Sequence, residues 1–179
     1  MSVSIGRTST DGGTAMRALS MVEVALSTVI IGVVLLSAMN MVGAAGTSMS
    51  SMANRATGTL LAEQLMAEIL EQAYEEPSLD PGSFGTEADE AVTGDRSLYD
   101  DVDDYDKWSA SPPQDKDGSL IPDRSSWRRS VTVVYVNPTD VTQALGASSG
   151  VKRMTVMVSF DNVLVTKLVA LRADTRIAE

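Results

Sequence analysis

Two residue types with distinctive chemistry, cysteine and histidine, are absent from the 179-residue sequence. Without cysteine there are no disulfides and no thiol nucleophile, and the usual cysteine and histidine spacing of zinc sites is excluded. Without histidine the commonest general base near neutral pH is also missing. Neither a nucleophile elbow nor a glycine-rich phosphate loop occurs in the sequence. We therefore predict that the protein is not an enzyme.

Basic residues are scarce, with 14 lysines and arginines against 24 aspartates and glutamates and a formal net charge of −10. Binding to nucleic acid needs a basic face that neutralises phosphates, so no nucleic-acid partner is expected. Fifteen of the acidic residues lie between residues 75 and 123. Such asymmetry is typical of a solvated loop followed by a structured element.

One long apolar run is present near the N-terminus, LSMVEVALSTVIIGVVLL at residues 19–36. It is long enough and apolar enough to enter a bilayer, and Glu23 is its only ionisable side chain. A carboxylate at the centre of a membrane helix costs roughly 2.5–3.5 kcal/mol, so a single one usually marks a function with a partner. Arg7 and Arg17 precede the run, and this pattern keeps the N-terminus in the cytoplasm while the rest of the chain crosses the membrane.

After residue 36 the apolar pattern continues and becomes amphipathic. Apolar residues recur every four positions from Leu61 to Ala73, and glutamates lie mostly on the other side. This pattern predicts one helix over residues 19–75 that ends before Pro77.

The rest of the chain predicts a loop and a sheet. Gly, Pro, Ser and Asp dominate up to residue 126, which indicates an acidic surface loop. Three runs rich in β-branched residues follow, at residues 130–136, 153–160 and 163–171, and Asp161 and Asn162 between the last two favour a type I′ hairpin. We therefore predict an α+β fold in which the amphipathic half of the helix covers an antiparallel sheet of three or four strands. The predicted segments are a leader (1–18), a membrane-spanning half-helix (19–45), an amphipathic half-helix (46–76), an acidic variable loop (77–126) and a β-sheet head (127–179).

The run Arg17-Ala18-Leu19-Ser20-Met21-Val22-Glu23-Val24 resembles the processing and methylation motif of type IV pilins and type II secretion pseudopilins. The resemblance implies leader cleavage between Ala18 and Leu19, N-methylation of Leu19, and an assembly role for Glu23 as the fifth residue of the mature chain. Two positions depart from the family pattern, which usually has Gly at position 18 and Phe at position 19. The helical segment LLAEQLMAEILEQA is similar to that of minor pilins and of the I-type minor pseudopilins.

Membership of this family implies a pilin-like fold and a single-pass subunit of the bacterial inner membrane, with its head outside, that later enters a pilus or pseudopilus. The implied partners are a prepilin peptidase, other pilin or pseudopilin subunits, an assembly platform with its ATPase, and membrane lipid. Two other interpretations of the apolar run stay open. One is a secretory signal peptide cleaved after Val42-Gly43-Ala44, and the other is a simple membrane anchor.

The DDVDDYDKW cluster at residues 100–108 is a second candidate site. Closely spaced aspartates supply the hard oxygens that Ca²⁺ prefers, although the spacing is not that of an EF-hand. The candidate calcium ligands are Asp101, Asp103, Asp104 and Asp106. Major pseudopilins hold calcium in a loop beside the sheet, whereas an acidic loop without metal is the other interpretation. No other cofactor is expected, and the alternative function is a membrane-anchored or secreted calcium-dependent binding module.

Overall fold

The computed structural model describes residues 20–77, 84–88, 90 and 95–175, and the chain divides into two compact units, Met1–Thr47 and Ser48–Glu179. The described elements are one helix and five strands, which agrees with the predicted α+β class. They are α1 (Met21–Leu70), β1 (Ser109–Ala110), β2 (Trp127–Asn137), β3 (Asp140–Leu145), β4 (Val151–Phe160) and β5 (Val163–Ala173). The predicted cleavage residues Ala18 and Leu19, with the leader before them, lie outside the described residues.

In the first unit the described residues form the beginning of α1. Ser20 caps the helix, because its Oγ accepts a hydrogen bond from the N–H of Val22 at 3.2 Å. This bond satisfies one of the N–H groups that the first turn leaves without a helical partner. An 18-residue window of α1 has a mean hydropathy of 2.3, and none of that window is buried inside the protein. By length and composition the helix can therefore cross a membrane.

The helix ends at Leu70, short of the predicted end at residue 75. Ala73 instead donates its N–H to the C=O of Asp100 at 3.0 Å. The guanidinium of Arg172 donates to the C=O of Leu70 at 3.1 Å and so satisfies a carbonyl that the helix end leaves free. The predicted boundary was wrong because these hydrogen bonds come from residues distant in sequence, which helical periodicity does not reveal.

The second unit contains an antiparallel sheet with β2 at its centre. β2 pairs with β4 over most of its length, with β1 near its start and with β3 near its end, and β5 pairs with the other side of β4. The turn between β4 and β5 has positive φ angles at Asp161 (47°) and Asn162 (64°). A type I′ turn requires positive φ at both central residues, so the predicted hairpin is confirmed.

Two strands were not predicted, and the predicted number of three or four strands was wrong. All six residues of β3, with the sequence DVTQAL, are exposed, so this strand lacks the apolar alternation that indicates a half-buried strand. β1 has only two residues and lies within the segment predicted as a loop, where it pairs with Ser130 and Arg129 of β2. The head therefore begins before residue 127, its predicted first residue.

The core of the second unit lies between α1 and the sheet. Buried side chains on one face of the helix form a single cluster with inward-facing residues of β2 and β4. Fully burying one aliphatic side chain of this kind stabilises a fold by about 1.5–3 kcal/mol. The predicted packing of the amphipathic half-helix on the sheet is confirmed. The cluster comprises Leu61, Ala62, Leu65, Met66, Ile69, Val102, Tyr105, Trp127, Val131, Val133, Met154, Val156 and Val158.

The DDVDDYDKW segment, predicted as solvated surface, is largely internal. Val102 and Tyr105 are fully buried in the core cluster, and three of the neighbouring aspartates are buried beside them. The prediction of a surface loop was wrong here because the segment contributes apolar side chains to the core. Its carboxylates can be buried beside these side chains because donor groups of the protein form hydrogen bonds to the carboxylate oxygens. The buried aspartates are Asp101, Asp103 and Asp104.

Helix α1 approaches β5 closely at Gly58, which is buried. A Cβ atom at this position would lie 2.9 Å from Oγ1 of Thr166 and 3.0 Å from Cγ1 of Val165. Gly46, in the same helix, has no such atom within 4 Å of its Cβ position. The absence of a side chain at Gly58 therefore permits the contact between helix and strand.

We predict that Gly58→Leu destabilises the second unit by about 1–3 kcal/mol, because the larger side chain forces the helix away from β5. Leucine is a better helix former than glycine, so helix propensity alone would make the variant more stable. A loss of stability therefore comes from the clash with β5. Gly46→Leu is the matched control and should leave stability unchanged or raise it. Urea unfolding followed by tryptophan fluorescence tests both variants, and an unchanged midpoint for Gly58→Leu would contradict the close packing.

Candidate functional sites

Glu23 lies in the first turn of α1, and its N–H donates to the C=O of Ser20 at 2.9 Å. Its side chain is exposed, and it takes part in none of the ion pairs within the part of the chain that the structure describes. A glutamate three residues after an N-cap serine fits a capping box, and a carboxylate in the first turn interacts favourably with the helix dipole. The position of Glu23 in the first turn therefore gives it one role without any partner, which is to stabilise the start of the helix.

The surface around Glu23 is apolar. Val22, Val24 and Leu26 are 67%, 48% and 58% exposed, and large exposed apolar residues continue through Leu36. A continuous apolar surface of this size marks contact with a membrane or another protein. A carboxylate covered by such a contact needs a compensating cation. Capping of the helix start leaves this apolar surface exposed, so the capping role of Glu23 does not account for it.

The four aspartates predicted as calcium ligands bind several different protein groups. Asp101 Oδ1 accepts a hydrogen bond from the N–H of Asp103 at 2.6 Å. Asp104 Oδ2 accepts from the N–H of Asp101 at 3.0 Å, and Asp106 Oδ1 accepts from the N–H of Val133 at 2.9 Å. The structure therefore does not bring these four side chains together as one ligand set. They order a turn and attach it to β2.

Asp103 forms an ion pair with a lysine that the sequence analysis did not predict as its partner. Lys152 on β4 is fully buried, and its Nζ donates to Asp103 Oδ1 and to the C=O of Tyr74. Strand alternation places Lys152 on the inward face together with Met154, and an inward lysine indicates a buried acidic partner. Burial, together with the nearby charge of Asp103, raises the pKa of Asp101 to about 8.

A second buried ion pair joins α1 to the segment that begins at residue 95. Arg96 donates to the two carboxylate oxygens of Glu68 at 2.7 and 3.0 Å, and the Tyr105 hydroxyl donates to the same carboxylate at 3.0 Å. The guanidinium lies 4.1 Å from the ring centroid of Trp108, in cation–π geometry. Burial and the Glu68 carboxylate raise the pKa of Tyr105, so its hydroxyl stays protonated and can donate.

Arg129 of β2 belongs to the same network. Both Arg129 and Arg96 donate to the C=O of Gln114. Burial lowers the pKa of Arg129 to about 10, and the charge of Arg96 contributes in the same direction. Glu68 and Asp115 partly offset this effect. The network connects α1, the irregular segment and β2, and so explains how this segment is ordered with little regular secondary structure.

We predict that Arg96→Met lowers stability by about 3–5 kcal/mol, because it leaves Glu68 without its cation in a mostly buried position. Lys107→Met is the matched control. Lys107 pairs with Asp106 at 3.2 Å, but its side chain is 89% exposed, so removing the pair should cost less than about 1 kcal/mol. Thermal unfolding followed by circular dichroism compares the variants. Equal losses of Tm in the two variants would show that the buried pair of Arg96 contributes no more to stability than the exposed pair of Lys107.

Among the described residues, two groups of three carboxylates have oxygen atoms that all lie within 4.8 Å of one another. Of the predicted ligands, only Asp104 belongs to either group. Burial raises the pKa of Glu90 to about 8, and its contact with Asp104 adds to the increase. Sequence reasoning missed these groups because their members come from separate parts of the chain. The groups are Glu87, Glu90 and Asp104, and Glu76, Glu90 and Asp100.

No family model, no curated protein and no solved structure matches this chain. The resemblance to prepilins therefore depends on residues 17–24 and on the pattern of the helix that follows them. Function has to be inferred from the chain's own residues, above all from Glu23 and the exposed apolar surface around it.

Proposed function

We propose that the protein is a minor pilin or pseudopilin, a structural subunit that is processed by a prepilin peptidase and assembled into a type IV pilus or a type II secretion pseudopilus. The observation that carries the proposal is the position of Glu23, a single carboxylate on the exposed apolar start of α1. By its resemblance to the family motif, Glu23 is the fifth residue after cleavage between Ala18 and Leu19.

The apolar part of α1 supports a location in the bacterial inner membrane. Its mean hydropathy and length suit a membrane-spanning helix. Arg7 and Arg17 precede it, so the positive-inside rule places the N-terminus in the cytoplasm and the second unit on the opposite side. Lipid covers the apolar side chains before assembly, and the helices of neighbouring subunits cover them in the filament.

Removal of the leader gives Glu23 a cationic partner. Cleavage before Leu19 creates an N-terminal amine that stays positively charged after one methylation. Within one helix the first and fifth residues of the mature chain lie about 6 Å apart along the axis, so assembly can align the amine of one subunit with Glu23 of its neighbour. Pairing offsets the cost of placing a lone carboxylate in an apolar layer.

The second unit serves as the folded head of the subunit. The protein acts by packing into a polymer and carries out no chemistry itself. Its partners in this role are other pilin or pseudopilin subunits, and the assembly platform with its ATPase, which supplies the work of assembly.

We predict that Glu23→Val leaves membrane insertion and leader cleavage intact but lowers incorporation into filaments at least about tenfold. Loss of one partner of a buried ion pair costs about 3–5 kcal/mol, and a tenfold change needs only about 1.4 kcal/mol. Cell fractionation measures insertion, and immunoblots of sheared filaments measure incorporation beside wild-type subunits.

Thr28→Val is the matched control for this experiment, because it alters a polar side chain of the same exposed helix without removing a charge. It should enter filaments at the wild-type level. Wild-type incorporation of Glu23→Val would show that Glu23 does not serve assembly and would favour a simple membrane anchor.

The alternative function is a membrane-anchored or secreted calcium-dependent binding module, for which Glu87, Glu90 and Asp104 would supply converging carboxylates. That function requires calcium at the head and makes no use of Glu23. The same substitution therefore separates the two functions, since a binding module keeps its activity when Glu23 is replaced by valine.

A further inference from the structure

The turn between β4 and β5 has an exposed apolar tip, which we call the hairpin tip and define as residues 161–164. Val163 and Leu164, directly after the two turn residues, are 68% and 56% exposed. Single exposed apolar side chains are common on protein surfaces, but neighbouring ones exposed together at a turn indicate a contact surface. The hairpin tip is therefore a candidate for contact with another molecule or with a membrane.

A groove beside the hairpin tip is lined by two exposed cations. The groove lies between α1 and the start of β5, within the second unit, and has a volume of about 780 Å³. Arg55 of α1 and Lys167 of β5 line it together with Val163 and Leu164, and both cations are exposed. Neither cation forms an ion pair with another described residue. Two cations in one groove without such a pair favour an anionic ligand.

The end of the second unit that carries the hairpin tip is basic, although the chain as a whole is acidic. Segment 123–128 lies beside the tip, because the C=O of Ser126 accepts a hydrogen bond from the N–H of Asp161 at 2.9 Å. This segment and the groove carry four cations against two carboxylates, an excess of two positive charges, whereas the formal net charge of the chain is −10. The cations are Arg55, Arg124, Arg128 and Lys167, and the carboxylates are Asp123 and Asp161.

The connection of the groove to the membrane-spanning part of the chain favours an anionic lipid surface as the occupant. Ser51, which lines the groove, comes six residues after Ala45, the last residue of the predicted membrane-spanning half-helix. A chain spans at most about 3.6 Å per residue, so Ser51 lies within roughly 22 Å of Ala45 however the two units are arranged. A bilayer surface suits both kinds of side chain, since its phosphates bind cations and its acyl boundary accepts apolar groups.

We propose that the basic end of the second unit docks on the bilayer surface. The phosphate of an anionic phospholipid binds between Arg55 and Lys167, and the side chains of Val163 and Leu164 enter the interface beside it. Docking holds the head on the membrane until assembly removes the subunit from the bilayer. This inference rests on the membrane location in the proposed function, and it does not depend on leader cleavage or on the filament.

The absence of cysteine allows one environment-sensitive fluorophore to be attached at the hairpin tip. Full-length Val163→Cys, labelled with NBD, is reconstituted at low protein density into phosphatidylcholine vesicles at about 150 mM salt. The long-lifetime component of NBD emission measures the docked fraction. Including about 30% phosphatidylglycerol should raise the ratio of docked to undocked heads at least about threefold, because the anionic surface attracts the cations.

Val141→Cys, labelled in the same way, is the matched control for the position of the fluorophore. Val141 is also an exposed apolar residue, but it lies on β3, which pairs with the other end of β2. Its NBD lifetime should be the same in both kinds of vesicle. An equal response of the two labels would show adsorption of the head without a preferred face and would contradict the proposal.

Charge substitutions in the labelled Val163→Cys protein locate the lipid contact. Arg55→Gln and Lys167→Gln should each lower the ratio of docked to undocked heads about fivefold in the anionic vesicles. Both residues are exposed, so neither substitution should disturb the fold. Lys107→Gln is the matched control, because its side chain is 89% exposed and does not line this groove. It should leave the ratio unchanged.

Equal lifetimes of the tip label in the two kinds of vesicle would overturn the proposal, and so would a normal docked fraction in both charge variants. A long-lifetime component that grows with protein density and ignores phosphatidylglycerol would show that a second copy of the chain covers the tip. The vesicles contain neither peptidase nor assembly machinery, so these results are independent of the filament, which Glu23→Val tests separately.

Discussion

The structure depends on how the apolar surface of α1 is covered. From Gly58 to Ile69 one face of the helix is buried against the sheet and the DDVDDYDKW segment of the same chain. Through Leu36 the helix is at least as apolar, but its side chains are exposed. An exposed apolar surface of this length is unfavourable in water, so a second environment must cover it. One part of the helix is thus covered by the folded chain, and the other part is exposed and apolar enough to cross a membrane.

Most of the regular structure could be predicted from local patterns. The helix, the runs that became β2, β4 and β5, and the turn at Asp161 and Asn162 all have signals of periodicity or of turn chemistry. The missed helix end depends on contacts distant in sequence, because residues from other segments satisfy the last groups of α1. β3 was missed because its side chains are exposed, although it pairs with β2, the strand just before it in the chain. No single-segment pattern contains this information.

The candidate sites could be predicted only in part. Glu23 is conspicuous in the sequence because it interrupts an apolar run, whereas the carboxylate group at Glu87 is visible only once the chain is folded. The aspartates of the DDVDDYDKW cluster were predicted as calcium ligands because closely spaced carboxylates look like free oxygen ligands in a sequence. In the folded protein, backbone N–H groups and Lys152 bind most of their oxygens. Alternation along β4 places Lys152 on the buried face, and this pattern in the sequence indicates a buried acidic partner.

The central claim is that this chain is a prepilin whose mature form begins at Leu19. Mass spectrometry of the N-terminal peptide, from protein produced in cells with an active prepilin peptidase, tests it most directly. The proposal predicts a peptide that begins at Leu19 and carries one methyl group on its amine. A mature chain beginning near Ala45, as after signal-peptide cleavage, or a retained Met1 leader would contradict it.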